Sequence, residues 1–176
     1  NLVITYGYFY GSARTILLLS GSATILNSSI RNSQQAVNVQ QLVSFVMEYS
    51  EVKNSGQYYG PFTSDNIADY GFVISESKNI IISNNTFTGF ASYSMIYIRF
   101  SSSILFADNV INVDISDLYY DLSDQDVQIE RTLLFYQQPT DTTTINNEFH
   151  YNPQQFTLPY ASIYYISNPT VYLGIN

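Results

Sequence analysis

Apolar and polar positions along the chain fall into a recurring six-residue phrase: ILNSSI ending at Ile30, MEYSEV at Val52, ISNNTF at Phe87, FADNVI at Ile111 and TINNEF at Phe149. Each opens on an apolar or small residue, passes through polar turn formers rich in Asn, and closes on an apolar residue five positions later. The closing residues are 22 positions apart from Ile30 to Val52, 35 from Val52 to Phe87, 24 from Phe87 to Ile111 and 38 from Ile111 to Phe149. An earlier copy, 22 positions before Ile30, is expected to close at Tyr8 with its turn at Thr5 and Tyr6.

Repeats of this size belong to architectures in which no unit buries its apolar face alone. A helical repeat would need roughly 30 to 47 residues with a 3.6-residue period. These units are instead short runs of β-branched and aromatic residues broken by Asn, Ser and Gly, which is strand and turn chemistry. A second apolar run precedes each phrase or follows the last: Ile16 to Leu19, Val37 to Val39, Phe72 to Ile74, Ile96 to Ile98, Leu133 to Phe135 and Ile163 to Ile166. Two or three short alternating strands per unit predict a parallel β-helix whose coils stack about 4.8 Å apart.

The Asn column has a physical reason. A sharp corner needs a residue that tolerates the left-handed region, which Asn does at low cost, and amides in register can bond to one another as a ladder. Two positions before the closing residue stand Ser28, Ser50, Asn85, Asn109 and Asn147; three before it stand Asn27, Tyr49, Asn84, Asp108 and Asn146.

On these residues the chain resembles the right-handed parallel β-helix superfamily of pectin lyase-like proteins, whose unit reads roughly apolar-x-apolar-x-Asn-Asn-x-apolar. Residues 80 to 88, IIISNNTFT, match it best, with Ile80, Ile82 and Phe87 inward. The expectation is an all-β solenoid of about six to seven coils of roughly 22 residues, one domain over 1–176, with insertions at 55–71 and 114–130. The resemblance concerns fold, and fold does not imply function. The Asn, Tyr, Ile and Ser bias also resembles that of AT-rich protist proteins, among them ciliate-like surface proteins with β-helix domains.

Charged residues are only 11% of the chain, against roughly 25% in an average globular protein. The surface must therefore be largely Asn, Ser, Thr, Gln and Tyr. A net charge of −8 with six Lys and Arg residues argues against a nucleic-acid partner, and no apolar run approaches the roughly 18 residues of a membrane span. Without cysteine the chain has neither disulfide nor thiolate chemistry. Two N-glycosylation sequons, Asn27-Ser28-Ser29 and Asn84-Asn85-Thr86, fall at the same position of the phrase and should project from one edge. The chain opens on Asn-Leu-Val and closes within an unfinished corner at Tyr172 to Asn176. Neither end resembles a capping unit, so a longer parent chain is expected, with any signal peptide or anchor outside this stretch.

The two insertions should stand about 10 Å apart, flanking the strand from Met95 to Phe100. Tyr97 and Arg99 are expected to point outward between them. For the superfamily's polysaccharide-active members the resemblance implies a sugar groove at this place. Tyr58, Tyr59, Tyr119 and Tyr120 could offer ring faces there, and Asp65, Asp69, Asp121 and Asp124 hydroxyl acceptors. Catalysis has no such support. The polygalacturonase-like Asn-Thr-Asp, Asp-Asp, Gly-His-Gly and Arg-Ile-Lys signatures are missing, as is a pectate lyase-like Arg-x-Pro-x-x-Arg, so no catalytic residue is assigned. His150, the sole histidine, is expected on the outward side of its strand. No cofactor is expected. Calcium at Asp117, Asp121, Asp124 and Asp126 is disfavoured, because the spacing lacks the Gly and terminal Glu of an EF-hand.

Two readings of function remain at this level. One is a structural or adhesive module of an extracellular or cell-surface glycoprotein, packed against other copies or modules in a filament or coat, with no membrane contact of its own. The other is a polysaccharide-binding domain, or a carbohydrate-active enzyme, using the groove between the insertions.

Overall fold

The computed structural model describes residues 1–53, 70–88, 94–113, 132–151, 162–166 and 171–173. Strands follow one another in rounds. The first round holds β1 (Leu2–Thr5) and β2 (Tyr8–Leu18), and the second β3 (Gly21–Leu26) and β4 (Ser29–Gln40). The third holds β5 (Leu42–Glu48), β6 (Glu51–Lys53) and β7 (Tyr70–Ser75); the fourth β8 (Lys78–Ser83), β9 (Thr86–Thr88) and β10 (Ser94–Arg99). The fifth holds β11 (Ser102–Ala107), β12 (Val110–Val113) and β13 (Thr132–Gln137); the sixth β14 (Thr140–Ile145), β15 (Glu148–Tyr151) and β16 (Ser162–Ile166). After these comes β17 (Val171–Leu173).

Every described pairing is parallel, and the strands form three columns. The first is β1-β3-β5-β8-β11-β14-β17. The second runs through the leading parts of β2 and β4 and then β6, β9, β12 and β15. The third runs through the trailing parts of β2 and β4 and then β7, β10, β13 and β16. Since β2 and β4 pass unbroken from the second column into the third, these two columns join in one ten-stranded sheet. Later rounds make the same passage through residues outside the described set, where the expected insertions at 55–71 and 114–130 fall, although Tyr70 and Gly71 already belong to β7.

Register matches the phrase. Ile30, Val52, Phe87, Ile111 and Phe149 are successive partners in one row. The first copy differs from expectation by one residue: Phe9, not Tyr8, pairs with Ile30, and Tyr8 pairs with Ser29 on the exposed side. Its turn is accordingly Tyr6-Gly7. Both Tyr8 and Phe9 are apolar enough to close a phrase, and only pairing separates them, because a slip of one residue reverses the faces of a strand.

The row residues Ile30, Val52, Phe87 and Ile111 are fully buried and meet side chains of the other two columns. Phe45 of the first column, Phe72 of the third and Phe87 of the second interlock edge to face, with centroids 6.3 Å apart for Phe45–Phe72 and 5.7 Å for Phe72–Phe87. Phe106 then stacks on Phe87 at 6.3 Å. One apolar core thus serves all three columns. Each such ring removed from water contributes about 1.5–3 kcal/mol. In the sixth round the core row turns polar, with Thr142 and Thr144 buried where Ile104 and Phe106 stand one round earlier.

The corner between the first and second columns carries the Asn pattern, and its two positions do different jobs. Three before the row residue, Tyr6, Asn27, Tyr49, Asn84, Asp108 and Asn146 all have positive φ, between 49° and 56°, and all are exposed. Two before it, the side chains turn inward as a ladder. Gly7 N donates to Ser28 Oγ, Ser28 N to Ser50 Oγ, Ser50 N to Asn85 Oδ1, Asn85 N to Asn109 Oδ1 and Asn109 N to Asn147 Oδ1, all at 3.0–3.1 Å. Asn109, fully buried, also donates from Nδ2 to Ile82 O and Asn147 Oδ1 and accepts from Asn85 Nδ2.

A second ladder, unread in the sequence, closes the corner from the third column back to the first. Leu42 N donates to Ser77 Oγ and Ser77 N to Ser101 Oγ. Gln41, Glu76, Phe100 and Gln138 supply the positive φ there. Pro139, buried and without an N–H, stands at the equivalent place one round beyond Ser101.

Removing one rung should cost far more than changing its exposed neighbour. Asn109→Ala orphans Asn85 N–H and removes a donor from Ile82 O and Asn147 Oδ1, and is expected to lower stability by about 3 kcal/mol, whereas Asp108→Gly, which suits positive φ, should stay within about 1 kcal/mol of the parent. Urea denaturation of both variants checks the contrast.

Candidate functional site

Strand β10, which bears Tyr97 and Arg99, lies between β7 and β13. Ile96 and Ile98 enter the core and Tyr97 faces the other way, but its ring is covered: only 4% is exposed. Its hydroxyl donates to Gln137 Oε1 on the neighbouring β13. Arg99 is half-buried, with its guanidinium carbon 5.9 Å from the Tyr97 ring centre. Tyr97 thus points away from the core as expected, yet its ring is not open to solvent as a sugar platform would be. Alternation assigns a side of a strand, while cover depends on what lies above it. Tyr58, Tyr59, Asp65, Asp69, Tyr119, Tyr120, Asp121 and Asp124 lie outside the described residues, as do Asp117 and Asp126.

Asn27 and Asn84 are exposed at the left-handed corner position two rounds apart in one column. His150 is exposed on β15, its Nε2 3.2 Å from Glu148 Oε2. Among the described residues no group of three or more His, Cys, Asp or Glu side chains could hold a metal ion, and no helix is long and apolar enough to cross a membrane.

An open cleft of about 650 Å³ runs along this corner. One wall is the positive-φ column Tyr6, Asn27, Tyr49 and Asn84; the other is Tyr8, Ser29, Glu51 and Thr86; Gly7, Ser28 and Ser50 of the ladder lie between them. The second wall is braced. Arg31 Nη2 meets Glu51 Oε2 at 2.5 Å, Arg31 Nε and Glu51 Oε2 both bond Ser29 Oγ, and the guanidinium lies 5.8 Å from the Tyr8 ring centre. The hydrogen bonds that Arg31 donates to Glu51, and then the Glu51 charge, raise the Arg31 pKa above its ordinary value. The cleft thus offers ring faces, amides and hydroxyls, with its carboxylate already matched by a cation. This chemistry suits binding sugars. The cleft's trace in the sequence is Tyr49, which stands where the other four copies of the recurring phrase carry Asn or Asp.

Comparison with family models, with curated proteins and with solved structures returned no match.

Burial of Tyr97 sets an expectation for its replacement. Tyr97→Ala should lower stability by about 2–4 kcal/mol, as loss of a covered aromatic ring does, where an open surface ring would change it by about 0.5 kcal/mol or less. Thermal and urea unfolding measure the difference.

Proposed function

We propose that this chain is part of a right-handed parallel β-helix serving as a structural or adhesive module of an extracellular or cell-surface glycoprotein, packed against other copies or modules. The observation that carries the reading is the axial repetition itself. Every round adds its strands in parallel register on the last, and the corner ladder passes from Gly7 to Asn147 without a gap. Such a stack lengthens by adding equivalent rounds, the property a filament or coat requires.

Two further features support it. Among the described residues β1 and β2 each pair on one side only, and Val3 of β1 is 66% exposed, so a further round, of this chain or of another, can add in register here. Both sequon asparagines are exposed on one edge of the stack. The alternative, a sugar groove over Tyr97 and Arg99, is weakened by the burial of the Tyr97 ring.

The test has two measurements. Light scattering should show concentration-dependent association that Val3→Pro, which removes an edge donor, reduces. Glycopeptide mass spectrometry of native material should find sugars on Asn27 and Asn84. A chain that stays monomeric at millimolar concentration and carries neither glycan would refute the reading.

A further inference from the structure

The positive-φ column of the corner alternates: Tyr6, Asn27, Tyr49, Asn84. Each sequon asparagine therefore follows a tyrosine exactly one round earlier, about 4.8 Å away along the stack. The same column continues with Asp108 and Asn146, which belong to no sequon and have no tyrosine before them in this sense, since Asn84 and Asp108 precede them.

These tyrosines have no structural reason to be there. A bulky residue at positive φ costs about 1 kcal/mol or more, and Asn fills the same position in three other rounds. Nor is the cost offset by burial, since Tyr6 is 81% exposed and Tyr49 61%. Phe100, 46% exposed at positive φ in the other corner, shows that the fold admits an open aromatic ring there too, so what singles out Tyr6 and Tyr49 is their place one round before a sequon asparagine.

We propose that Tyr6 and Tyr49 are docking faces for the chain's own N-glycans, the sugar on Asn27 lying against Tyr6 and that on Asn84 against Tyr49, so that the glycans fill the corner cleft. The inference rests on the glycoprotein reading above. In the modification, the side-chain nitrogen of each asparagine bonds to the anomeric carbon of a polyprenyl-diphosphate oligosaccharide. The bond from that carbon to the diphosphate oxygen breaks, the diphosphate leaves, and the amide gives up one proton. The first sugar then emerges on the wall of a cleft already lined by ring faces. The apolar face of a pyranose ring packs on an aromatic face, and its hydroxyls meet amide and hydroxyl partners such as Thr86. Charge favours the same ligand class. Glu51 is matched by Arg31, leaving the cleft suited to neutral sugar rather than to an acidic polysaccharide.

The experiment uses the chain secreted from a glycosylating eukaryotic host, with site occupancy read by glycopeptide mass spectrometry and ring access read by tyrosine nitration. Nitration of Tyr6 and Tyr49 is expected to be at least about fivefold slower in the glycosylated chain than after enzymatic deglycosylation. Tyr10, an exposed residue outside the cleft, should react equally in both. Asn27→Gln should release Tyr6 alone and Asn84→Gln Tyr49 alone. The variants Tyr6→Asn and Tyr49→Asn suit positive φ and keep the fold; they should abolish any rise in melting temperature that glycosylation confers. Occupied sites with unchanged nitration overturn this inference and leave the glycoprotein reading standing, whereas empty sites overturn this inference together with the glycan part of that reading.

Discussion

The corner between the first and second columns is where the chain must bend sharply while burying the groups that bend it. Three consecutive amides arrive there in each of the four inner rounds, and each is satisfied by a neighbouring round. Asn84 N reaches Ala107 O, Asn85 N reaches Asn109 Oδ1, and Thr86 N returns to Ser50 O. The same triplet recurs at Asn27 to Ser29 and at Tyr49 to Glu51. Since a buried amide without a partner costs about 1–3 kcal/mol, no round can slip against the next without orphaning several at once. This satisfaction in trans fixes the register from which the rest follows.

With register fixed, alternation along the strands does the packing. Ile30, Val52, Phe87 and Ile111 fall in one inward row because their corners are locked, and the phenylalanines at 45, 72, 87 and 106 meet because their rows are. Serine and asparagine share the ladder because both place an oxygen where the next amide needs it. Asparagine adds a donor that ties the rung to the preceding strand, as Asn85 Nδ2 does at Met47 O and Asn109 Nδ2 at Ile82 O. Serine instead turns its hydroxyl onto its own corner, as Ser28 does at Leu26 O and Ser50 at Glu48 O. Both kinds of rung join the round before to the round after, and the Asn rungs add a side-chain bond to the preceding strand that the Ser rungs lack.

Much of this was legible in the amino-acid sequence, for reasons that also explain the failures. The row from Ile30 to Phe149 could be read because the corner tolerates few residue types, and selection for them leaves a mark at fixed distance from an apolar residue. Tyr8 was taken for Phe9 because the first corner uses Tyr6-Gly7 and so lacks the mark. The serine corner at Ser77 and Ser101 escaped notice because Ser is common in every loop of this chain and only pairing distinguishes a rung from a surface residue. Tyr97 was placed on the correct side of its strand and given the wrong environment. Sequence periodicity reports direction, whereas burial depends on segments distant in the chain.

The corner also separates two kinds of information by one residue. Two positions before the row residue, geometry permits only Gly, Ser or Asn, because the side chain must fit inside the turn and feed an amide; at Gly7 an added Cβ would stand 2.7 Å from the Phe9 ring. Three positions before it, the side chain leaves the stack, and the backbone asks only for tolerance of positive φ. Asn, Asp and Tyr all occur there. The inner position is therefore constrained by the fold and the outer one is open to surface chemistry, at a conformational cost that Asn minimises and Tyr does not. Where a tyrosine stands there, the axial repeat of about 4.8 Å puts its ring within reach of whatever the outer residue of the next round carries. A surface column written this way can change its ligand without disturbing the ladder one residue away.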